Sequence, residues 1–260
     1  MRYMLSALAA LLAATTAFAE LKTAEVSYKH GDLELEGYLS YDDAVAGKRP
    51  GVLVAHEWYG CNAYARKRAD DLAKLGYVAF ALDMYGKGVV AKDQKEASEK
   101  ASVFKKDRAL MRARAMAGLD ILRRQPNVDP ERMGAIGYCF GGTTVLELAR
   151  GGADLVGVVS FHGGLDTPDP KDAKKIKGKI LVLHGADDPF VPKEDVAAFE
   201  DEMKNAKVDY QLVKYPGAVH AFTNPTAGND NGKGAAYNED ADKKSFQAMK
   251  EFFEKVFAKK

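Results

Sequence analysis

Cysteine is scarce. The chain carries two, Cys61 and Cys139, so at most one structural disulfide could form, and a chain of this length has ample core without it. Charge of one sign is lacking too. Lys and Arg number 38 against 37 Asp and Glu, a formal net charge of +1. No basic stripe or polybasic tail stands out, which argues against nucleic acid or an anionic membrane as partner. No internal repeat or interdomain linker divides the chain. No histidine pair has the i, i+4 spacing of a helical zinc site, and Cys61 and Cys139 make no metal-ligand pattern. Neither metal nor cofactor is expected.

A hydrophobic content of 47% with 29% charged residues suits one large globular domain. The first residues are set apart from it. Arg2 supplies a positive start, Leu5 to Leu12 an apolar core, and Ala17-Phe18-Ala19 the small residues of a cleavage site. Residues 1–19 therefore read as a secretory signal peptide, residues 20–260 as the mature domain, and the location as periplasmic or secreted. An uncleaved anchor is the alternative, but the segment lacks the roughly 20 apolar residues of a spanning helix and no stop-transfer pattern follows. Cleavage removes only Arg2, leaving a neutral domain with no expected membrane contact. A monomer is expected.

Leu33 to Leu39 alternates apolar and polar residues, as a half-exposed antiparallel strand does. Gly51 to Ala55 is instead a continuous apolar run, the mark of a buried parallel strand. Helical periodicity over 62–75 stops at Gly76. Strands follow at 78–82, 133–138, 155–161, 179–184 and 210–214, with helices at 107–124, 143–150, 194–205 and 239–258. This alternation predicts an α/β fold with a mainly parallel central sheet and helices on both faces. Residues 224–236, rich in Gly and Asn, read as a surface loop placed to act as a rim or lid.

Gly137-Tyr138-Cys139-Phe140-Gly141 joins a buried strand to a helix in the nucleophile-elbow pattern, with cysteine in place of serine. A strand that turns at once into a helix brings two backbones together, so side chains at 137 and 141 would clash. The central residue is held in strained geometry with its side chain exposed. The N–H groups of the following helix favour a thiolate and a developing oxyanion. In this fold the acid and then the base follow along the chain. His184-Gly-Ala-Asp-Asp-Pro-Phe-Val-Pro192 offers carboxylates on a post-strand loop, and Tyr215-Pro-Gly-Ala-Val-His220-Ala-Phe222 offers a histidine.

With these segments the sequence resembles the dienelactone hydrolase family of α/β-hydrolases over nearly all of the mature chain. The family's Gly-x-Cys-x-Gly falls on 137–141. Its Gly-x-x-Asp-x-x-Val-Pro falls on Gly185, Asp188, Val191 and Pro192, selecting Asp188 over Asp187. Its Gly-x-x-His-x-Phe falls on Gly217, His220 and Phe222, and its His-Glu-x-x-Gly-x-Asn on His56, Glu57, Gly60 and Asn62. The resemblance implies hydrolysis of an ester or lactone through a thioester on Cys139. His220 would act as base and acid, Asp188 would orient it, and the backbone N–H groups of Phe140 and Trp58 would form the oxyanion hole. It also implies that Glu57 contacts the thiol at rest and keeps it protonated until substrate displaces the carboxylate.

Tyr59, Tyr85, Phe161 and Phe222, near strand ends, are expected to line an aromatic substrate pocket. Family members that process dienelactone carry an arginine shortly after the histidine; here the stretch is Ala221-Phe222-Thr223-Asn224-Pro225, and Arg108, Arg112 and Arg114 read as a solvated helix face. His30 is expected in an exposed turn, and His56, His162 and His184 in hydrogen-bonded structural roles. A Cys61–Cys139 disulfide would block the nucleophile, so both thiols are expected free. A non-catalytic binding protein on the same fold is one competing reading. A cysteine amidotransferase or peptidase-like enzyme is another, against which the distal Asp188 and His220 segments argue.

Overall fold

The structure is a computed structural model that describes residues 21–258, so the signal-peptide reading of residues 1–19 lies outside the described residues. Eight strands form one sheet in the order β1-β2-β4-β3-β5-β6-β7-β8. Their ranges are β1 Leu21–His30, β2 Leu33–Asp42, β3 Arg49–Ala55, β4 Val78–Ala81, β5 Val128–Tyr138, β6 Gly157–Phe161, β7 Lys179–Gly185 and β8 Tyr210–Tyr215. The β1–β2 hairpin joins the sheet antiparallel through β4, and every pairing from β4 to β8 is parallel.

Alternation along each buried strand sorts its side chains between two cores. Leu53, Ala135, Val158, Ile180 and Val182 face one cluster, with helices α2 (Gln94–Lys106), α3 (Arg108–Arg123), α4 (Phe140–Arg150) and α5 (Lys193–Ala206) packed over it. Val52, Val54, Ile136, Val159 and Leu181 face the other, covered by α1 (Ala63–Lys74) and α6 (Glu239–Val256). Burial on both faces explains why the parallel strands read as unbroken apolar runs.

Two elements were not foreseen. Strand β1 is mostly exposed and buries one residue, Tyr28, so it carries almost no apolar pattern. Helix α2 buries only Ala97, Ala101 and Phe104 among its charged residues. The sequence also places the start of α4 too late: the helix begins at Phe140, immediately after the turn.

That turn is as tight as its glycines require. Cys139 sits at φ 54° and ψ −116°, a left-handed conformation that costs of order 1–3 kcal/mol for a residue with a Cβ. A Cβ on Gly137 would overlap the Gly141 carbonyl, and one on Gly141 would overlap the carbonyl of Ala55. Both obstacles are backbone and cannot rotate away. Gly137→Ala is therefore expected to destabilise the protein by roughly 2–4 kcal/mol. Urea denaturation checks this, and an unchanged midpoint would contradict the close approach.

Candidate active site

All the parallel strands deliver their carboxyl ends to one edge, where ligand sites of open α/β sheets are found. His56, Glu57 and Trp58 follow β3, Cys139 follows β5, His162 follows β6, Asp188 lies beyond β7 and His220 beyond β8. His220 Nδ1 lies 2.8 Å from Asp188 Oδ2. Asp188 is buried, and its Oδ1 accepts the Phe190 N–H at 2.9 Å, which locks the carboxylate in place. The other partner of the His220 ring is Cys139. Burial pulls the imidazole pKa down, but negative charge at Cys139, the hydrogen bond to Asp188 and a polar contact with Cys139 together push it up to about 10. The structure thus brings Cys139, His220 and Asp188 together.

Two backbone donors near Cys139 in the chain or at the same sheet edge are unengaged. The N–H groups of Phe140, first residue of α4, and of Trp58 donate no hydrogen bond to the described residues. The peptide that carries the Trp58 N–H is held through its own carbonyl, Glu57 O, which is bonded to His56 Nδ1, and the following peptide is held by Tyr85 Oη, which donates to the Trp58 carbonyl at 2.8 Å. Tyr85 itself is fixed by Asp83, whose carboxylate accepts the Tyr85 and Gly86 N–H groups.

Glu57 is buried beside this group, but its bonded partner is not the thiol. Asn224 Nδ2 donates to Glu57 Oε2 at 2.7 Å, and Oε1 has no hydrogen-bond partner. Asn224 Oδ1 accepts from both the N–H and the hydroxyl of Thr226, so its NH2 must face the glutamate. Burial raises the Glu57 pKa above the ordinary carboxylate range, against the opposing pull of Asn224, His220 and Arg68. The backbone of Glu57 is held by His56. Its Nε2 accepts from the Met84 N–H, so the proton is on Nδ1 and is donated to the Glu57 carbonyl.

The substrate-pocket expectation divides. Tyr59 and Tyr85 are half-buried at this edge. Phe161 and Phe222 are not pocket residues: both are sealed in the core beneath α1 and α6, whereas Cys139, Trp58 and Tyr85 pack against the opposite core. Phe161 stacks on Tyr138 with centroids 4.5 Å apart, and Phe222 packs on His162 and Tyr215. A strand-end position alone does not say to which face a side chain turns. Conversely, Phe190 was missed. It is 60% exposed and meets the His220 ring edge-on at 5.5 Å, and its place two residues after Asp188 was the available signal.

Other expectations are corrected as well. Arg108, Arg112 and Arg114 do not form a solvated face. Arg108 pairs with Asp166 at 2.6 Å, Arg112 with Glu147 and Asp172, and Arg114 donates to His30 Nδ1 and the Met84 carbonyl. His30 is accordingly half-buried rather than exposed. His184 is buried with Nδ1 unpartnered, while His56 and His162 are fully engaged. Cys61 and Cys139 are both free. Cys61 belongs to the α1/α6 core, and burial pushes its thiol up to about 12, so it is a poor redox partner. The 224–236 segment forms two short 3-10 turns, and its far end is tied to His220 by backbone hydrogen bonds to Gly234 and Ala236.

The dienelactone hydrolase family model matches residues 35–257. The chain belongs to the dienelactone hydrolase family. A Synechocystis protein provisionally named carboxymethylenebutenolidase is 28% identical over 247 residues, covering 90% of this chain and 97% of that one. Among solved structures, m3DLH is 44% identical with a TM-score of 0.88, covering 91% of this chain and 98% of its own. A dienelactone hydrolase-like promiscuous phosphotriesterase from metagenomic libraries is 43% identical, also at 0.88, covering 92% and 99%. This dienelactone hydrolase family member therefore has the α/β-hydrolase fold and is a hydrolase.

Its His220 pKa carries a test. A histidine raised to about 10 contributes stability that is complete below its unfolded value of about 6.5 and is lost as pH rises through 10. Removing the sulfur in Cys139→Ala should return the His220 titration toward the ordinary histidine range. NMR of the imidazole measures it, and an unmoved midpoint would mean that the sulfur carries no charge beside the ring.

Proposed function

We propose that the protein hydrolyses a neutral, activated carboxylic ester or lactone through a thioester on Cys139. The observation that carries the reading is the His220 ring bound to Asp188 at 2.8 Å and raised in pKa by the neighbouring sulfur. The thiolate is the reactive species, and an imidazole oriented by a carboxylate beside the sulfur is the base that takes its proton.

The thiolate of Cys139 adds to the acyl carbon, and the carbonyl electrons move to an oxyanion that accepts hydrogen bonds from the Phe140 and Trp58 N–H groups. Collapse of this intermediate expels the alkoxide or enolate, which takes the proton from His220. The neutral imidazole then deprotonates a water that attacks the thioester. A second collapse releases the acid, and His220 again holds the proton. Asp188 fixes the Nδ1–H tautomer throughout and offsets the charge on the ring. Glu57 stands by as a buried carboxyl whose free oxygen adjoins this charge.

Substrate class follows from the charges. Arg68, the arginine whose charge reaches Glu57, is committed to the Thr223 carbonyl and to Asp242, both at 2.7 Å. The position after Thr223 is Asn224, occupied by Glu57. Arg108, Arg112 and Arg114 are likewise committed to other partners, so none of these four arginines is left to hold a substrate carboxylate, whereas a neutral ester meets half-buried aromatic walls at Trp58, Tyr59 and Tyr85. Export is inferred as well, on the sequence of residues 1–19 alone.

A hydrolysis screen tests the proposal with neutral aryl esters, neutral lactones, the carboxylate-bearing dienelactone and a neutral phosphotriester, the last being the substrate class in the name of the 43% identical relative. Neutral acyl substrates should turn over best. Cys139→Ala should lower kcat/KM at least about 10³-fold with folding intact. Retained activity in that variant would remove the nucleophile assignment, and a preference for dienelactone would remove the neutral-substrate reading.

A further inference from the structure

His162 is buried, the charges of His220 and Arg68 reach it, and nothing in the reaction sequence above uses it. It lies immediately after β6 at φ 38°, a left-handed conformation uncommon for a side-chain-bearing residue. The Cys139 N–H is shared between the Phe161 carbonyl at 3.0 Å and His162 Nδ1 at 3.1 Å, so the ring proton is on Nε2, which faces Thr223 Oγ1 at 2.8 Å. Thr223 belongs to the loop that carries His220. The same hydroxyl lies 2.7 Å from Tyr64 Oη, which accepts from Arg68 Nε at 3.2 Å, and Arg68 returns to the Thr223 carbonyl. The His162 ring also meets the His220 ring edge-to-face at 5.2 Å.

We propose that His162 is a positioning residue of the reaction, fixing the backbone of the Cys139 turn to the loop that carries His220. The proposal rests on Cys139 being the nucleophile. The nucleophile and its base arrive from different strands and share no backbone hydrogen bond; His162 supplies a polar link between their segments. Its own placement is rigid, because Gly163 packs so closely on Gly142 in the first turn of α4 that a Cβ on either would fall 2.8 Å from backbone of the other. The link needs a neutral ring, since a protonated Nδ1 could not accept from Cys139. Burial, His220 and Arg68 hold the His162 pKa well below the ordinary histidine range, in agreement with that requirement. Sub-ångström placement of the sulfur against imidazole and oxyanion donors governs the acylation rate more than ground-state binding.

The test is burst kinetics with a neutral aryl ester on His162→Asn and His162→Leu, with Cys139→Ala alongside. Asn offers an acceptor near the Nδ1 position, while Leu keeps bulk and accepts nothing. The acylation rate should fall several-fold in His162→Leu, which leaves the Cys139 N–H to the Phe161 carbonyl alone, with the substrate dissociation constant read from the burst phase little changed, and His162→Asn should recover most of it. Thr223→Val and Thr223→Ser ask the same question at the other end of the link, should the His162 variants fail to fold: Val should slow acylation several-fold and Ser restore it. Full-rate acylation in His162→Leu or in Thr223→Val overturns the proposal, as does equal slowing in the Asn and Leu variants at unchanged Tm. An active Cys139→Ala would instead bring down the nucleophile reading, a distinct result.

Discussion

Two backbones meet without side chains between them at the Cys139 turn, and the rest of the site depends on that contact. Gly137 and Gly141 let α4 start directly beneath the end of β5, with Gly141 pressed on the Ala55 carbonyl at the end of β3. The approach forces Cys139 into a left-handed conformation and presents its sulfur at the mouth of the helix. The same contact lets α4 begin at Phe140, directly after the cysteine, so one packing constraint fixes both the sulfur-bearing residue and the start of the helix. Strain of this kind persists only where the surroundings over-determine it, and here the fixed surroundings are backbone on both sides.

Charge is the second organising term. Asp188 and Glu57 are both buried at this edge, yet they behave differently because their partners differ. Asp188 accepts the Phe190 N–H and faces the His220 ring, a setting that suits an anion. Glu57 has one amide donor from Asn224 and one oxygen with no partner, so burial prevails and its pKa rises. Asp188 thus faces the imidazole, and Glu57 is bonded to a side chain on the His220 loop.

The sequence carried the architecture wherever burial was strong. Strands β3 to β7 lie between two cores and leave unmistakable apolar runs, and the glycines at 137 and 141 announce the turn because nothing larger fits. The β1–β2 hairpin is half legible, since β2 alternates and β1, on the sheet edge, buries little beyond Tyr28. Helix α2 escapes notice because its buried face is two alanines and a phenylalanine. Side-chain direction at strand ends is a different difficulty. Phe161 and Phe222 stand where a pocket wall could stand, but the pleat turns them into the α1/α6 core. The Asn224–Glu57 bond spans 167 residues of sequence, and no local pattern encodes such a meeting. His162 was legible as a bonded histidine, though its partners were not.

The proposed reaction is covalent: the acyl group passes through the Cys139 sulfur. Rapid acid quench of the enzyme during turnover of a slowly deacylated aryl ester, followed by peptide mapping by mass spectrometry, tests it directly. The account predicts an acyl adduct on the peptide holding Cys139, formed at the burst rate and absent from Cys61. Turnover with no adduct on Cys139, or an adduct on another residue, would contradict it.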